Sequence, residues 1–140
     1  MSSLTLLPCD YNDLEAISKL ASAEFGDLAA DYSRNQTLWK IDQSSYSKAV
    51  NFKGTIVGFY VIFRLSRLGV AAVKRGEFDI RNCPREYFRA DNKRKYLNVY
   101  IGGVYGTNKI SKAMSYGAVN RHLFETKPTI IFARAGSQTD

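Results

Sequence analysis

Histidine occurs once in this chain of 140 residues, at position 122, and cysteine twice, at positions 9 and 83. That scarcity excludes a zinc site of the spaced Cys/His kind, which needs several such ligands at short intervals. No Ser or Cys motif of the hydrolase kind stands in the sequence either. Two distant cysteines, with no signal peptide ahead of them, predict reduced thiols in a cytoplasmic protein. Long apolar runs are also missing. The longest, Thr55–Phe63, is too short to cross a bilayer as a helix, so no membrane partner is expected. There is no low-complexity stretch, no internal repeat and no linker, which predicts a single domain over residues 1–140.

What is present is aromatic and basic. Nine tyrosines and eight phenylalanines suit a sheet-rich core. The net charge of +7 is unevenly placed. Residues 1–63 hold five basic and seven acidic side chains, residues 64–109 eleven and four, and residues 110–140 four and two. The excess lies in the middle third. It suits a nucleic acid, an acidic protein or a phosphate-bearing cofactor; a solvated basic surface gives the same pattern. From Arg64 to Lys95 the basic residues alternate with Phe78, Tyr87 and Phe88, as in a surface that binds phosphates and stacks bases, and equally as in an amphipathic cap over a sheet.

The chain is organised around residues 95–123. Leu97, Val99 and Ile101 alternate with Tyr96, Asn98 and Tyr100, which predicts a strand over Lys95–Val104 with bulk on both faces. Gly102 and Gly103 interrupt it, the mark of a bulge or of a close approach by a ligand. A polar turn, Tyr105–Asn108, leads to a helix over about Lys109–Leu123, capped by Thr107 or Asn108. Ile110, Ala113, Met114, Gly117 and Ala118 share its apolar face. A strand–turn–helix of this kind aims free N–H groups at a loop, where an anion can bind.

Elsewhere, residues 3–8 predict a first strand closed by Pro8. Asn12 with Glu15 predicts a capping box. The helix behind it buries Leu14, Ile17, Leu20, Ala21 and Phe25, and Gly26 ends it. A short helix is expected over Asp27–Arg34 and a loop over 35–46. Ser47–Phe52 and Thr55–Leu65 form a hairpin about Lys53-Gly54. The second of these strands is apolar on both faces, hence central. Leu68–Arg75 is read as helical, Asn82-Cys83-Pro84 as a turn, Pro84–Phe88 as the start of a short helix and Arg89–Lys95 as charged and exposed. After Lys127-Pro128, Thr129–Arg134 is the last strand. The fold class is therefore α/β (α+β), with a mixed, mostly antiparallel sheet flanked by helices. Thr129–Arg134, an apolar strand at a sheet edge, predicts a homodimer.

This order, with a bulged glycine strand running into a phosphate-facing turn, resembles the GCN5-related N-acetyltransferase fold over most of the chain. In that family the pantetheine arm of acetyl-CoA lies along the splayed fourth strand, and its pyrophosphate sits on the following turn. The resemblance assigns cofactor binding to Gly102, Gly103 and Val104, and to Gly106, Thr107, Asn108, Lys109, Ile110 and Ser111. It implies an acyl-CoA-dependent N-acyltransferase acting on an amine. A non-catalytic binding protein on the same scaffold is the other reading. The family turn reads Arg or Gln, two residues, Gly, one residue, then Gly or Ala. Here Ile110 and Ser111 fit, and Lys109 replaces the glycine. The family often places a glutamate base on the fourth strand, and none lies between Lys95 and Val104. Its later helix, which often supplies a tyrosine acid, would lie past Asp140. It is expected to be replaced by another subunit or trimmed away. Tyr100 and Tyr105 are the candidates for acid or for substrate positioning, beside the alternative that they are packed aromatics. Glu77 and Asp79 are candidates to line the acceptor site, or else are solvated loop carboxylates. His122 is set near a helix end, where it also suits the dipole.

Overall fold

A computed structural model describes residues 4–89 and 97–133. Five strands form one sheet in the order of the chain: β1 (Thr5–Pro8), β2 (Tyr46–Val50), β3 (Ile56–Arg64), β4 (Asn98–Gly106) and β5 (Ile130–Ala133). The first four pair antiparallel, and β5 runs parallel to β4. The helices are α1 (Leu14–Phe25), α2 (Tyr32–Ile41), α3 (Arg67–Lys74) and α4 (Lys109–Thr126). The predicted mixed, mostly antiparallel sheet flanked by helices is what the chain forms, with β3 in its centre. From residue 90 to 96 the predicted exposed stretch Arg89–Lys95 and the start of the predicted strand Lys95–Val104 lie outside the described residues, as does Arg134 at the end of the last strand.

One face of the sheet packs Phe59, Val61 and Phe63 of β3 against Leu14 and Ile17 of α1 and Leu38 of α2. The other packs Ile62 and Val99 against Val119 of α4. Both faces of β3 are therefore covered, which is why its sequence carries no polar alternation. The hairpin turns at Gly54, where φ is 81°, a value that only glycine adopts freely.

Several local expectations change. The N-terminal cap of the first helical segment lies two residues earlier than predicted: Asp10 and Asp13, not Asn12 and Glu15, form the capping box, through a 3₁₀ turn over Tyr11–Asp13. The predicted short helix Asp27–Arg34 is replaced by a 3₁₀ turn over Gly26–Leu28 and by α2, which takes up most of the predicted loop. Asp31 starts α2 by accepting from the Arg34 N–H at 2.8 Å. The inward face of α2 carries Asn35 between apolar turns. That amide is satisfied by Ser18, Ala30 and Tyr46, so a polar residue sits where periodicity expects an apolar one.

The largest correction concerns α4. Its buried residues are Ser111, Ser115, Ala118 and Val119. Of the predicted inner face only Ala118 is buried, while Ile110 is 63% exposed. The reason is closeness. A side chain built on Gly58 would meet Ser115 Oγ at 2.7 Å, and one built on Gly106 would meet the Lys112 nitrogen at 2.1 Å. Only small residues fit where helix and sheet touch, and the sequence supplies serines there.

Candidate functional site

The predicted bulge is present. Val61 pairs with Gly103 and Ile62 with Ile101, so Gly102 is the extra residue on β4. The alternation of side chains shifts there. Val99, Ile101 and Val104 pack on the α4 side, whereas Tyr100 and Tyr105 pack on the α1–α2 side. Gly102 and Gly103 also face the α1–α2 side: a Cβ on Gly102 would meet the Phe63 ring at 2.7 Å, and one on Gly103 would approach Phe59 at 3.6 Å and Phe25 at 3.8 Å. Among the described residues, the pairing of β4 with β5 runs as far as Ile101 and Ala133. Beyond it, among the described residues, no strand covers that edge of residues 102–106.

A cavity of about 530 Å³ lies beside these residues of β4. Its walls come from both faces of the sheet. Ile17, Phe25, Tyr46, Phe59 and Phe63 form the α1–α2 wall, and Tyr116, Val119, Asn120 and Leu123 of α4 form the other. Ile101, Gly102, Gly103 and Val104 lie between them. The missing side chains at the two glycines contribute to this space.

The turn after β4 is shorter than expected. Tyr105 and Gly106 belong to the strand, and only Thr107 and Asn108 separate it from α4. The Thr107 N–H donates to the Val57 carbonyl, which ties the turn to β3. Asn108 is the cap: its Oδ1 accepts from the Ser111 N–H at 2.8 Å, and Ser111 Oγ accepts from the Asn108 N–H at 3.1 Å. This box leaves the N–H groups of Lys109 and Ile110 without an acceptor among the described residues. Those two donors, at the positive end of an 18-residue helix, fit a pyrophosphate, with Lys109 and Lys112 exposed beside them. Asn108 and Ser111 fit it less well, since each already spends its N–H inside the protein.

Of the residues singled out in the sequence, Gly102, Gly103 and Val104 line the cavity. Gly106, Thr107, Asn108, Lys109, Ile110 and Ser111 form the strand end and first turn beyond it. Tyr100 is buried with its ring 4.5 Å from that of Phe78, and Tyr105 packs on Phe59 at 5.5 Å; neither lines the cavity. Glu77 pairs with Arg75 and Asp79 with Arg81, away from it. His122 is half-buried on α4 and not in the lining, and burial lowers its pKa. Sequence reading missed Glu24, Tyr116 and Asn120, three polar residues that do line the cavity. The i, i+4 spacing of Tyr116 and Asn120 on a predicted helix was the available signal.

No protein-family model matches the sequence, and no curated protein matches it. Solved structures do. The chain is similar to the ribosomal-protein-alanine N-acetyltransferase of Brucella melitensis biovar Abortus 2308, at 12% identity over 97% of this chain and 81% of that one, with a TM-score of 0.51. It is similar to the aminoglycoside antibiotic 6'-N-acetyltransferase of Acinetobacter baumannii, at 10% identity over 98% and 82%, with a TM-score of 0.58. A third match, AAC(6')-Iy, was solved with the bisubstrate analogue CoA-S-monomethyl-acetylneamine; identity is 10% over 98% and 82%, and the TM-score is 0.54. The fold is thus that of the GCN5-related N-acetyltransferases.

Proposed function

We propose that this chain, built on the acetyltransferase fold, is an acyl-CoA-dependent N-acyltransferase. The observation that carries the reading is the Gly102 bulge, which opens on a cavity that reaches both faces of the sheet. A bound acyl thioester supplies an activated carbonyl carbon: an N–C bond forms to it, its C–S bond breaks, and a proton of the amine ends on sulfur. The backbone of Gly102–Val104, which lines the cavity, offers donors for the carbonyl oxygen. The Lys109 and Ile110 N–H groups, with the Lys109 and Lys112 ammonium groups, hold the phosphates. Tyr116, a cavity-lining phenol, joins Tyr100 and Tyr105 as a candidate proton donor, and it is the one of the three with access to the cavity.

The second reading, a binding protein without catalysis, is favoured by the capping box, which occupies two of the four first-turn groups of α4. Calorimetry with acetyl-CoA separates the two. Binding at or below millimolar cofactor is expected, and its absence leaves only the binding protein. In that case the partner would be a polyanion or an acidic protein. Arg64, Arg75 and Arg81 of the basic third are already paired with Asp42, Glu77 and Asp79, and Lys93, Arg94 and Lys95 lie outside the described residues. Titration with short DNA or RNA at two salt concentrations tests it, because phosphate contacts weaken steeply with salt.

The assembly we propose is a homodimer through β5, a four-residue edge strand with Ile131 exposed. Sedimentation at high micromolar concentration should give twice the monomer mass; a monomer there removes the proposal.

A further inference from the structure

The α1–α2 half of the cavity has a chemistry of its own. Its wall is formed by Ile17, Phe25, Phe59, Val61, Phe63 and Ile80. Two polar side chains on that side, Asn35 and Tyr46, are already engaged: Tyr46 donates to Asn35 Oδ1 at 2.7 Å, and Asn35 donates to Ser18 Oγ at 2.9 Å and to the Ala30 carbonyl at 3.2 Å. Among the described residues that line the cavity, Glu24 is the one that carries a charge, and it is exposed on the last turn of α1 beside Phe25. The Phe25 ring comes within 3.8 Å of the point where a side chain on Gly103 would begin, so this half of the cavity adjoins the bulge.

A wall of this kind selects by desolvation. A sugar or a polycation entering it would leave hydroxyl and ammonium groups without partners, since one carboxylate cannot neutralise several charges. An apolar body loses nothing there, and a single ammonium can stay at the mouth beside Glu24. The neighbours that act on aminoglycosides therefore share the fold of this chain without indicating its ligand.

We infer that the α1–α2 half of the cavity binds a monoamine with an apolar, ring-sized body, its nitrogen held at the mouth by the Glu24 carboxylate. That this amine is then acylated rests on the function proposed above; the binding does not. Phenethylamine is the probe, phenylethanol its neutral counterpart and spermidine the polycation. Calorimetry on the full chain without coenzyme should show phenethylamine binding at least roughly tenfold more tightly than spermidine, a difference of about 1.4 kcal/mol. Glu24→Gln should weaken phenethylamine severalfold and leave phenylethanol unchanged. Ala29→Phe, which fills the cavity from a half-buried loop position, should abolish both while circular dichroism shows the fold retained. If that variant does not fold, chemical shifts of Phe25 and Gly103 on adding phenethylamine to the native chain locate the ligand instead.

Spermidine binding as tightly as phenethylamine, no binding of phenethylamine at millimolar concentration, or shifts confined to residues away from the cavity would each overturn the inference. Phenethylamine binding without acetyl-CoA binding upholds it and removes the acyltransferase. Acyl transfer to a polycation by a chain that does not bind phenethylamine does the reverse.

Discussion

Three glycines of β4 differ in what they permit, and each difference is measurable. At Gly106 a Cβ would meet backbone atoms of α4, at 2.1 Å from the Lys112 nitrogen. Backbone cannot swing aside, so Gly106→Ala should cost about 3 kcal/mol or more of stability. At Gly102 the obstacle is the buried Phe63 ring at 2.7 Å, which must shift, so Gly102→Ala should be destabilising but less so. At Gly103 the nearest atom is 3.6 Å away. Gly103→Ala should leave the melting temperature nearly unchanged and, because its methyl enters the cavity, weaken any ligand seated there. Thermal denaturation orders the three, and equal losses at all of them would contradict the packing described. Tyr46→Phe tests the polar floor of the cavity. It leaves Asn35 Oδ1 buried without its donor, at a cost of about 1–3 kcal/mol.

At the scale of the element, α4 begins with a device that has two uses. Asn108 stabilises the helix by accepting the Ser111 N–H, and in doing so withholds that N–H from a ligand. Asn108→Gly should cost only a few tenths of a kcal/mol, since glycine is itself a tolerated cap. It should also strengthen acetyl-CoA binding by freeing the Ser111 donor. Calorimetry on the variant checks this, and weaker binding would mean that the carboxamide itself holds the ligand. The buried ion pair between Arg64 of β3 and Asp42 just after α2 fixes another junction. Asp42→Asn should be destabilising, because it removes the carboxylate charge that faces the buried Arg64 guanidinium at 2.8 Å; chemical denaturation checks it.

The whole molecule should be sensitive to alkali. Burial, helped by the Asp13 charge, pushes the Cys9 thiol from its ordinary 9.0 up to about 12. Burial also raises the thiol of Cys83 and the phenol of Tyr46. An acid with a raised folded pKa keeps its proton in the fold and loses it when the chain unfolds. Between the two values the folded chain holds more protons, so stability falls as pH rises. Lys48 acts in the same direction. Burial opposes its charge, but the hydrogen bond and charge of Asp13 outweigh burial and raise its pKa, so its contribution is lost as pH climbs through that raised value. The melting temperature should therefore decline from pH 9 upward, and Cys9→Ala should make the decline shallower. At the acid end His122, lowered by burial, contributes stability that is lost as pH falls below its ordinary 6.5.

The sequence by itself determined what depends on neighbours in the chain. The apolar run of β3 marked a central strand because both its faces needed cover. Gly102-Gly103 marked the bulge, Gly54 the hairpin and the pair Thr107-Asn108 the cap, of which the structure uses Asn108, since each acts on backbone within a few residues of itself. Only the tertiary structure decided which face of α4 turns inward. Periodicity favoured Ile110 and Gly117, whereas the close approach of Gly58 and Gly106 admits only Ser111 and Ser115. It also decided the register of α2, whose buried Asn35 is satisfied by Ser18, Ala30 and Tyr46, all outside that helix. The cavity was legible only along β4. Its opposite walls bring Phe25, Phe59 and Tyr116 together across the sheet, and nothing in their spacing along the chain records that meeting.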